Sequence, residues 1–138
     1  MKNIPVADIR NFVFLGHTGS GKTTLVDAIL YKLGVNDRQG SPADGTSMAD
    51  YLDQEKSRQI SIFAKTFCGT YKTPAGKTME LTFTDTPGYM DFFGAALASS
   101  RAADAGLIVI DAAAGIQVGT QRAVRCCRDR GLEARGIV

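Results

Sequence analysis

The 138-residue sequence contains no apolar run long enough to cross a bilayer, so we expect no membrane-spanning helix and no membrane partner. Its first ten residues lack the apolar core of a signal peptide, which predicts that the chain is not secreted. Internal repeats and low-complexity segments are also missing. The length and the apolar fraction of 44% fit one small globular domain with a hydrophobic core.

Histidine and cysteine are scarce, with a single His17 and three cysteines at Cys68, Cys126 and Cys127. Because His17 is not at ligand spacing from any cysteine, a zinc site is not expected. An odd number of cysteines without a secretory signal fits the reducing cytosol, and we predict a cytoplasmic protein. All three cysteines are expected to be small buried or half-buried side chains.

Neither sign of charge dominates, because 16 Lys and Arg stand against 14 Asp and Glu for a net charge of +2. The composition therefore neither favours nor excludes a nucleic-acid partner, and we expect no direct DNA binding. Arg122, Arg125 and Arg128 recur at three-residue spacing. They are predicted to form a solvated helix face rather than a stripe that contacts RNA.

One glycine-rich stretch has a recognisable pattern: residues 16–23 read GHTGSGKT and match G-x-x-x-x-G-K-[ST]. The apolar residues 11–15 before it predict a buried strand. Residues 24–33 after it carry apolar side chains at helical spacing, and Gly34 can end that helix. A strand, a glycine-rich turn and a helix in this order predict a phosphate-binding loop rather than a chance turn.

The residue types of this loop suit a polyphosphate. Its glycines allow backbone N–H groups to approach phosphate oxygens, and the helix N-terminus adds partial positive charge. Lys22 would contact the β- and γ-phosphates, and the Thr23 hydroxyl would bind Mg²⁺. His17 is expected to contribute its backbone to the loop rather than to act in catalysis. The residues predicted to bind nucleotide are Gly16, His17, Thr18, Gly19, Ser20, Gly21, Lys22, Thr23, Thr24 and Gly88.

A second motif, Asp85-Thr-Pro-Gly88, follows an alternating apolar and polar stretch. A carboxylate at the end of a strand beside a phosphate loop can hold Mg²⁺, usually through water, and Asp85 is the candidate. The backbone N–H of Gly88 can contact a γ-phosphate, so a turn at this position would sense whether that phosphate is present.

Residues 34–59 are polar and contain few apolar side chains. We predict a mobile segment that a γ-phosphate would order, with a flexible surface insertion as the alternative. Residues 60–71 and 79–84 are rich in β-forming side chains and are predicted to form an antiparallel hairpin.

The remaining elements follow from periodicity and from their end residues. We predict a helix over residues 91–103 capped by Asp91, a buried strand over 106–110, a helix over 118–130 that Gly131 ends, and a strand from residue 134. This order predicts an α/β fold: the three-layer α/β/α arrangement of a P-loop NTPase, with a mostly parallel sheet and one antiparallel hairpin strand. The predicted core includes Phe12, Phe14, Phe83 and residues 107–110.

Three stretches together resemble the G domain of translational GTPases, and most of all elongation factor G and its paralogues. They read GHTGSGKTT at residues 16–24, MADYLDQEKSRQISI at residues 48–62 and DTPGYMDF at residues 85–92. They occur in the order found in the family, and the resemblance extends over residues 9–138.

This resemblance implies that residues 1–138 are a single, incomplete GTP-binding domain, truncated before the guanine-specificity strand with its Asn-Lys-x-Asp motif. Residues 34–62 would be the switch I region and residues 85–93 the switch II region. The implied cofactors are GTP or GDP and Mg²⁺, the implied metal ligands are Thr23, Ser61 and Asp85, and the implied partner is the ribosome. Guanine is implied by the resemblance alone, because the residues present leave guanine and adenine open.

The chain departs from the family pattern at several positions. Ser61 replaces the usual Thr but keeps a hydroxyl for Mg²⁺, whereas Gln59 replaces a Gly and is expected to change the closed geometry. Gly19 replaces the usual Asp, which leaves phosphate binding intact. Tyr89 replaces the His that orients the attacking water. A phenol is a poor base at neutral pH but can still bind a water molecule.

The resemblance thus implies a GTP-binding translation factor that hydrolyses GTP and switches conformation on the ribosome, during translocation or a related step. Tyr89, Lys22 and Gly88 are the candidate catalytic residues, and we expect the isolated fragment to turn over slowly or not at all. Two alternatives stay open. One is a nucleotide-gated binding module with weak or no hydrolysis, and the other is a P-loop ATPase.

Overall fold

The computed structural model describes residues 4–138, which form a five-stranded sheet with helices on both faces. In chain order the elements are β1 (Ile9–Gly16), α1 (Lys22–Lys32), α2 (Asp53–Arg58), β2 (Lys65–Lys72), β3 (Thr78–Asp85), α3 (Phe93–Ser99), β4 (Ala105–Val109), α4 (Val118–Arg130) and β5 (Glu133–Ile137). Short 3₁₀ turns precede β1 at Val6–Asp8 and α3 at Met90–Phe92.

The strand order is β2-β3-β1-β4-β5, with β2 antiparallel to β3 and every other pair parallel. The first strand lies at the centre, where Phe12 pairs with Phe83 on one side and Ala105 on the other. The carboxyl ends of the parallel strands β1, β3 and β4 therefore meet at one edge of the sheet. The predicted α/β class, with its one antiparallel hairpin strand, is confirmed.

Alternating side chains of β1 face two separate cores. Val13 and Leu15 pack in a cluster with α3 and α4, whereas Phe14 packs with Val26 and Leu30 of α1. Because neighbouring residues of a strand point to opposite faces, the helices form two layers around the sheet. Each fully buried side chain of this size contributes about 1.5–3 kcal/mol of hydrophobic free energy.

Most of the predicted core is buried. Phe14 and Phe83 are fully buried and their rings meet edge to face, with centroids 6.1 Å apart. Phe12 is half-buried and stacks on Phe83. In the last helix, α4, the cysteines Cys126 and Cys127 are buried. Cys68 is exposed, contrary to the prediction, because it lies on the outward face of the edge strand β2.

The helices at residues 22–32 and 118–130 end as predicted, with Gly34 and Gly131 in left-handed conformations just beyond them. The three regularly spaced arginines of α4 are exposed, as expected of a solvated helix face. The predicted helix over residues 91–103 is wrong at both ends. It begins at Phe93, with Phe92 rather than Asp91 at the N-cap, and the Ser99 and Ser100 hydroxyls bond back to helix carbonyls where it stops.

Residues 34–64 differ most from the prediction. A short helix, α2, forms in the segment that we expected to be without regular structure. Strand β2 begins at Lys65 and not near Ile60, because the N–H groups of Ile62 and Phe63 bond to the Glu55 carboxylate instead of to a neighbouring strand. Within residues 4–138 the structure has no helix with the length and apolar character that a membrane crossing requires.

Candidate functional site

A small polar pocket of about 130 Å³ lies where β1 turns into α1. Six of its lining residues come from the glycine-rich loop and the start of α1, five from residues 42–61 and one is Gly88. Of the predicted site residues, those that line it are Thr18, Gly19, Gly21, Lys22, Thr23, Thr24, Ser61 and Gly88. The small, polar space suits phosphate groups rather than a whole nucleotide.

The loop has the backbone shape that its glycines predict. Gly21, at the N-cap of α1, has a φ of 88°, in the left-handed region that favours glycine. Gly88 lies so close to the loop that a Cβ there would be 2.6 Å from the Thr18 nitrogen and 2.5 Å from the Lys22 Nζ. The turn after Asp85 therefore touches the loop directly, and only glycine fits at residue 88 without displacing it.

Lys22 is held inside the loop. Its side chain is 5% exposed, and its Nζ donates hydrogen bonds to the carbonyl oxygens of His17 at 2.6 Å and Gly16 at 3.2 Å. Burial lowers the pKa of Lys22 to about 8, although the charges of Asp85 and Asp50 act to raise it. An anion bound in the pocket would favour the charged form of this lysine.

The three predicted metal ligands meet at Thr23. Its Oγ1 donates a hydrogen bond to Asp85 Oδ2 at 2.8 Å and lies 3.0 Å from the Ser61 hydroxyl. Asp85 is 1% exposed, and burial raises its pKa to about 6 against the hydrogen bond from Thr23 and the charge of Lys22. The second carboxylate oxygen, Oδ1, has no hydrogen-bond partner among residues 4–138.

This donor set fits Mg²⁺, which binds oxygen ligands, accepts few from protein and keeps waters or substrate phosphates in its other positions. The buried, unpartnered Oδ1 of Asp85 is an atom that a cation or its bound water would satisfy. No cluster of three or more His, Cys, Asp or Glu that could hold a metal occurs in the described residues. A cation here would thus need hydroxyls and phosphate oxygens in addition to Asp85.

Asp50 is a pocket residue that the sequence did not reveal. It is buried and lines the pocket beside Ser61. Burial raises the pKa of Asp50, against a hydrogen bond with Ser61 and the charge of Lys65, which both lower it. It stands in a stretch with other acidic residues, Asp53 and Glu55 among them, and no local pattern distinguishes it from them.

Gln59 also lines the pocket, with a φ of 53° and a ψ of 40°. Among residues 4–138 it is the only non-glycine residue with a positive φ. Gln59 therefore adopts the left-handed backbone conformation that glycine favours, although it carries a Cβ. Its amide Nε2 donates a hydrogen bond to the Ala43 carbonyl at 3.3 Å.

The other predicted site residues lie around the pocket rather than on its surface. Gly16, Ser20 and Asp85 do not line the pocket; Ser20 and Asp85 are buried and Gly16 is half-buried. The carbonyl oxygen of His17 accepts a hydrogen bond from Lys22 Nζ. The ring Nδ1 of His17 accepts a hydrogen bond from the Gly119 N–H of α4, a contact that sequence reasoning missed. Tyr89 lies outside the set of lining residues, is 45% exposed and stands beside Phe92, with ring centroids 6.3 Å apart.

A family model described as the elongation factor Tu GTP binding domain matches residues 7–138. A crystal structure of a Thermus thermophilus protein is 37% identical, covers 94% of this chain with a TM-score of 0.87, and is covered over 19% of its own length. A bacterial selenocysteine-specific elongation factor shares the fold, with a TM-score of 0.68 and 24% identity over 94% of this chain and 20% of its own.

Two relatives share more than a third of their aligned residues with this chain. Translation factor GUF1 homolog 1, mitochondrial, from Trypanosoma cruzi is 37% identical over 135 residues, 96% of this chain and 17% of the relative. Elongation factor G 2 from Streptomyces coelicolor is 37% identical over 117 residues, 85% of this chain and 16% of the relative. The chain therefore spans less than a fifth of the length of either relative.

Proposed function

The chain belongs to the family of the elongation factor Tu GTP-binding domain, and from this premise we propose that it binds GTP with Mg²⁺ and hydrolyses it to GDP and phosphate. The observation that carries the proposal is that Lys22, Thr23 and Ser61 line one polar pocket, and that the buried Asp85 accepts a hydrogen bond from Thr23. Ser61 and Asp85 are 38 and 62 residues from Thr23 in the chain, yet both meet its hydroxyl.

Each residue has a distinct task in this proposal. Lys22 holds its charge against the terminal phosphates, and the Gly88 N–H reports whether the γ-phosphate is present. Thr23, Ser61 and Asp85 would hold Mg²⁺, which supplies charge neutralisation at the β- and γ-phosphates. Phosphoryl transfer needs positioning and charge stabilisation more than proton removal. A phenol at residue 89 can therefore serve by holding the attacking water, provided that Tyr89 turns toward the pocket.

By family, residues 34–62 and 85–93 are the segments proposed to change conformation when the γ-phosphate is lost. We propose the ribosome as the partner and a step of translation, translocation or a related one, as the process. The cytosol is the proposed compartment, although one relative carries a mitochondrial name. The partner, the process and the compartment are proposed for a whole translation factor, since this chain spans less than a fifth of the length of either relative.

Binding of fluorescent GTP to the 138-residue chain, with and without Mg²⁺, tests the phosphate site. Lys22→Ala should weaken binding by about 10- to 100-fold, since a hydrogen bond to a charged group contributes about 1.5–3 kcal/mol. The matched control is Lys32→Ala, which removes an exposed lysine from the far end of the same helix and should leave affinity unchanged. Equal affinity of wild type and Lys22→Ala would show that the loop is not the phosphate site.

Competition by unlabelled GTP and ATP tests base preference, and stronger competition by ATP would favour the ATPase alternative.

A nucleotide-gated binding module with little hydrolysis is the second candidate. The outward position of Tyr89 favours it, because a group that orients the attacking water must reach the pocket. Phosphate release in a single turnover separates the two. Binding without phosphate release above the uncatalysed rate would support the module, whereas measurable release that depends on Mg²⁺ would support the hydrolase.

A further inference from the structure

Three buried charged residues contact one another in and next to residues 49–63, a segment of which four residues line the pocket. Lys65, the first residue of β2, places its Nζ 2.5 Å from Glu55 Oε1 and 3.5 Å from Asp50 Oδ1. The side chains of Lys65, Glu55 and Asp50 are only 9%, 0% and 5% exposed. We call these three residues the Lys65 cluster, and none of them was predicted as a site residue from the sequence.

Glu55 fastens the backbone on both sides of α2. Its Oε1 accepts hydrogen bonds from the N–H groups of Ile62 at 2.9 Å and Phe63 at 3.4 Å, and its Oε2 accepts one from Leu52 at 3.4 Å. Burial alone would raise the pKa of Glu55, but the hydrogen bonds from Lys65 and from these backbone groups hold it below its ordinary value. Glu55 is thus a buried carboxylate that the fold keeps ionised.

Lys65 connects Glu55 and Asp50 to the β-sheet, of which it is itself a member. In the antiparallel ladder Lys65 pairs directly with Asp85, the carboxylate at the floor of the proposed Mg²⁺ site. Asp50, which contacts Lys65, lines the pocket together with Ser61, and the Ser61 hydroxyl is 3.0 Å from that of Thr23. The polar contacts of Lys65 therefore reach the pocket lining beside the hydroxyls that are proposed to bind Mg²⁺.

Apolar packing contributes little to holding this segment in place. Among the large apolar side chains of residues 49–63, Tyr51 and Phe63 are exposed and Leu52, Ile60 and Ile62 are only half-buried, and Ala49 is the one member of the buried core. Segments with few buried apolar contacts open at low free energy, so the polar contacts decide whether this one stays closed. Removing one partner of a buried ion pair leaves an uncompensated charge and is strongly unfavourable.

We propose that Glu55 and Lys65 are positioning residues that hold residues 49–63 closed over the pocket, and thereby set the preference for a nucleoside triphosphate over a diphosphate. They act through Ser61, whose hydroxyl they hold beside that of Thr23, and through Asp50, which lines the same pocket. A ligand that requires the closed segment loses affinity when the segment opens, whereas a ligand held by the glycine-rich loop alone does not. The inference rests on the proposed function for its ligand, and on the contacts above for its geometry.

The test uses the 138-residue chain, a non-hydrolysable fluorescent GTP analogue and fluorescent GDP, both with Mg²⁺. Lys65→Met, which keeps the length of the side chain and removes its charge, should weaken the triphosphate about tenfold, within the range typical of coupling between sites. Affinity for GDP should stay within about twofold, the spread expected for a site left intact. Lys65→Arg should restore triphosphate binding, and Glu55→Gln should behave like Lys65→Met.

Hydrogen exchange of the Ile62 and Phe63 amides, measured without nucleotide, provides a second readout. Both amides bond to Glu55 and should exchange faster in Lys65→Met and Glu55→Gln than in wild type. Lys72→Met, at the far and exposed end of the same strand, is the matched control and should change neither readout. Because exchange needs no ligand, a wild-type chain that bound no nucleotide would refute the proposed function and leave this test of the geometry intact.

Two results would overturn the inference. One is an equal loss of affinity for triphosphate and diphosphate, which indicates a structural role only. The other is unchanged exchange at Ile62 and Phe63 in both charge-removing variants. If Lys65→Met does not fold, Glu55→Gln decides, since it keeps the size of the side chain and one carbonyl acceptor.

Discussion

The backbone N–H of Gly119 donates a hydrogen bond to Nδ1 of His17 across 3.3 Å, which joins the first turn of α4 to the glycine-rich loop. The two elements are packed as closely as their backbones allow. A Cβ on Gly119 would lie 2.6 Å from the Cα of His17 and 2.7 Å from its Nδ1. The single histidine of the chain therefore bonds one of the free N–H groups at the start of α4 and fixes the helix against the site.

Gly119→Ala should destabilise the chain by about 1–3 kcal/mol, because the added methyl group overpacks a backbone contact that cannot yield. Denaturant unfolding measures the change. The matched control is Gly94→Ala in α3, where an added Cβ meets nothing within 4 Å among the described residues. That control should be neutral or stabilising by about 0.5–1 kcal/mol, the usual advantage of Ala over Gly in a helix. Equal stability of the two variants would contradict the close packing at His17.

Asp85 should make stability fall as pH rises when Mg²⁺ is absent. Its pKa is raised from 3.8 to about 6 in the folded state, so the folded chain holds this proton more tightly than the unfolded chain. The stabilisation is complete below the unfolded pKa and is lost as pH rises through the folded one, a difference of about 3 kcal/mol at 1.36 kcal/mol for each unit.

Asp85→Asn removes that titration and is the variant that checks it. In buffer with a chelator, the stability of Asp85→Asn relative to wild type should increase between pH 4 and pH 7 by roughly the same 3 kcal/mol. The same variant should lose the Mg²⁺ dependence of nucleotide binding. A stability difference that does not vary with pH would show that the carboxyl is not held in the buried environment described.

Gln59→Gly should be more stable than Gln59→Ala by about 1 kcal/mol, the cost of a left-handed backbone for a residue with a Cβ. Both variants lose the hydrogen bond from Nε2 to the Ala43 carbonyl, so the comparison isolates the backbone. Thermal unfolding of the pair measures it. Equal stability of the two would mean that residue 59 leaves the left-handed conformation at no cost.

Tyr89→Phe tests the proposed role of the phenol in hydrolysis. Removal of the hydroxyl should lower the single-turnover rate by about tenfold or more, with GTP affinity unchanged, if the phenol holds the attacking water. Tyr71→Phe, on an exposed position of β2, is the control. An unchanged rate would show that the Tyr89 hydroxyl takes no part in the reaction.

Local pattern was sufficient where a motif or a period decides the structure. The glycine-rich loop, the ends of α1 and α4, the apolar strand β4 and the α/β class follow from glycine placement and apolar periodicity, and the family predicted from the motifs is confirmed. Each motif and each of these elements depends on residues within a few positions of one another, so its physical cause can be identified from a short stretch of sequence.

The features that only the tertiary structure decided are polar contacts that no local sequence pattern encodes. His17 and Gly119 are 102 residues apart, and the start of β2 depends on Glu55 capturing the amides of Ile62 and Phe63. The sequence shows Asp50, Glu55 and Lys65 as ordinary charged residues, because charge patterns on a surface and in a buried cluster look alike. Burial selects among them, and burial is a property of the packed sheet and its helices rather than of any short stretch of chain.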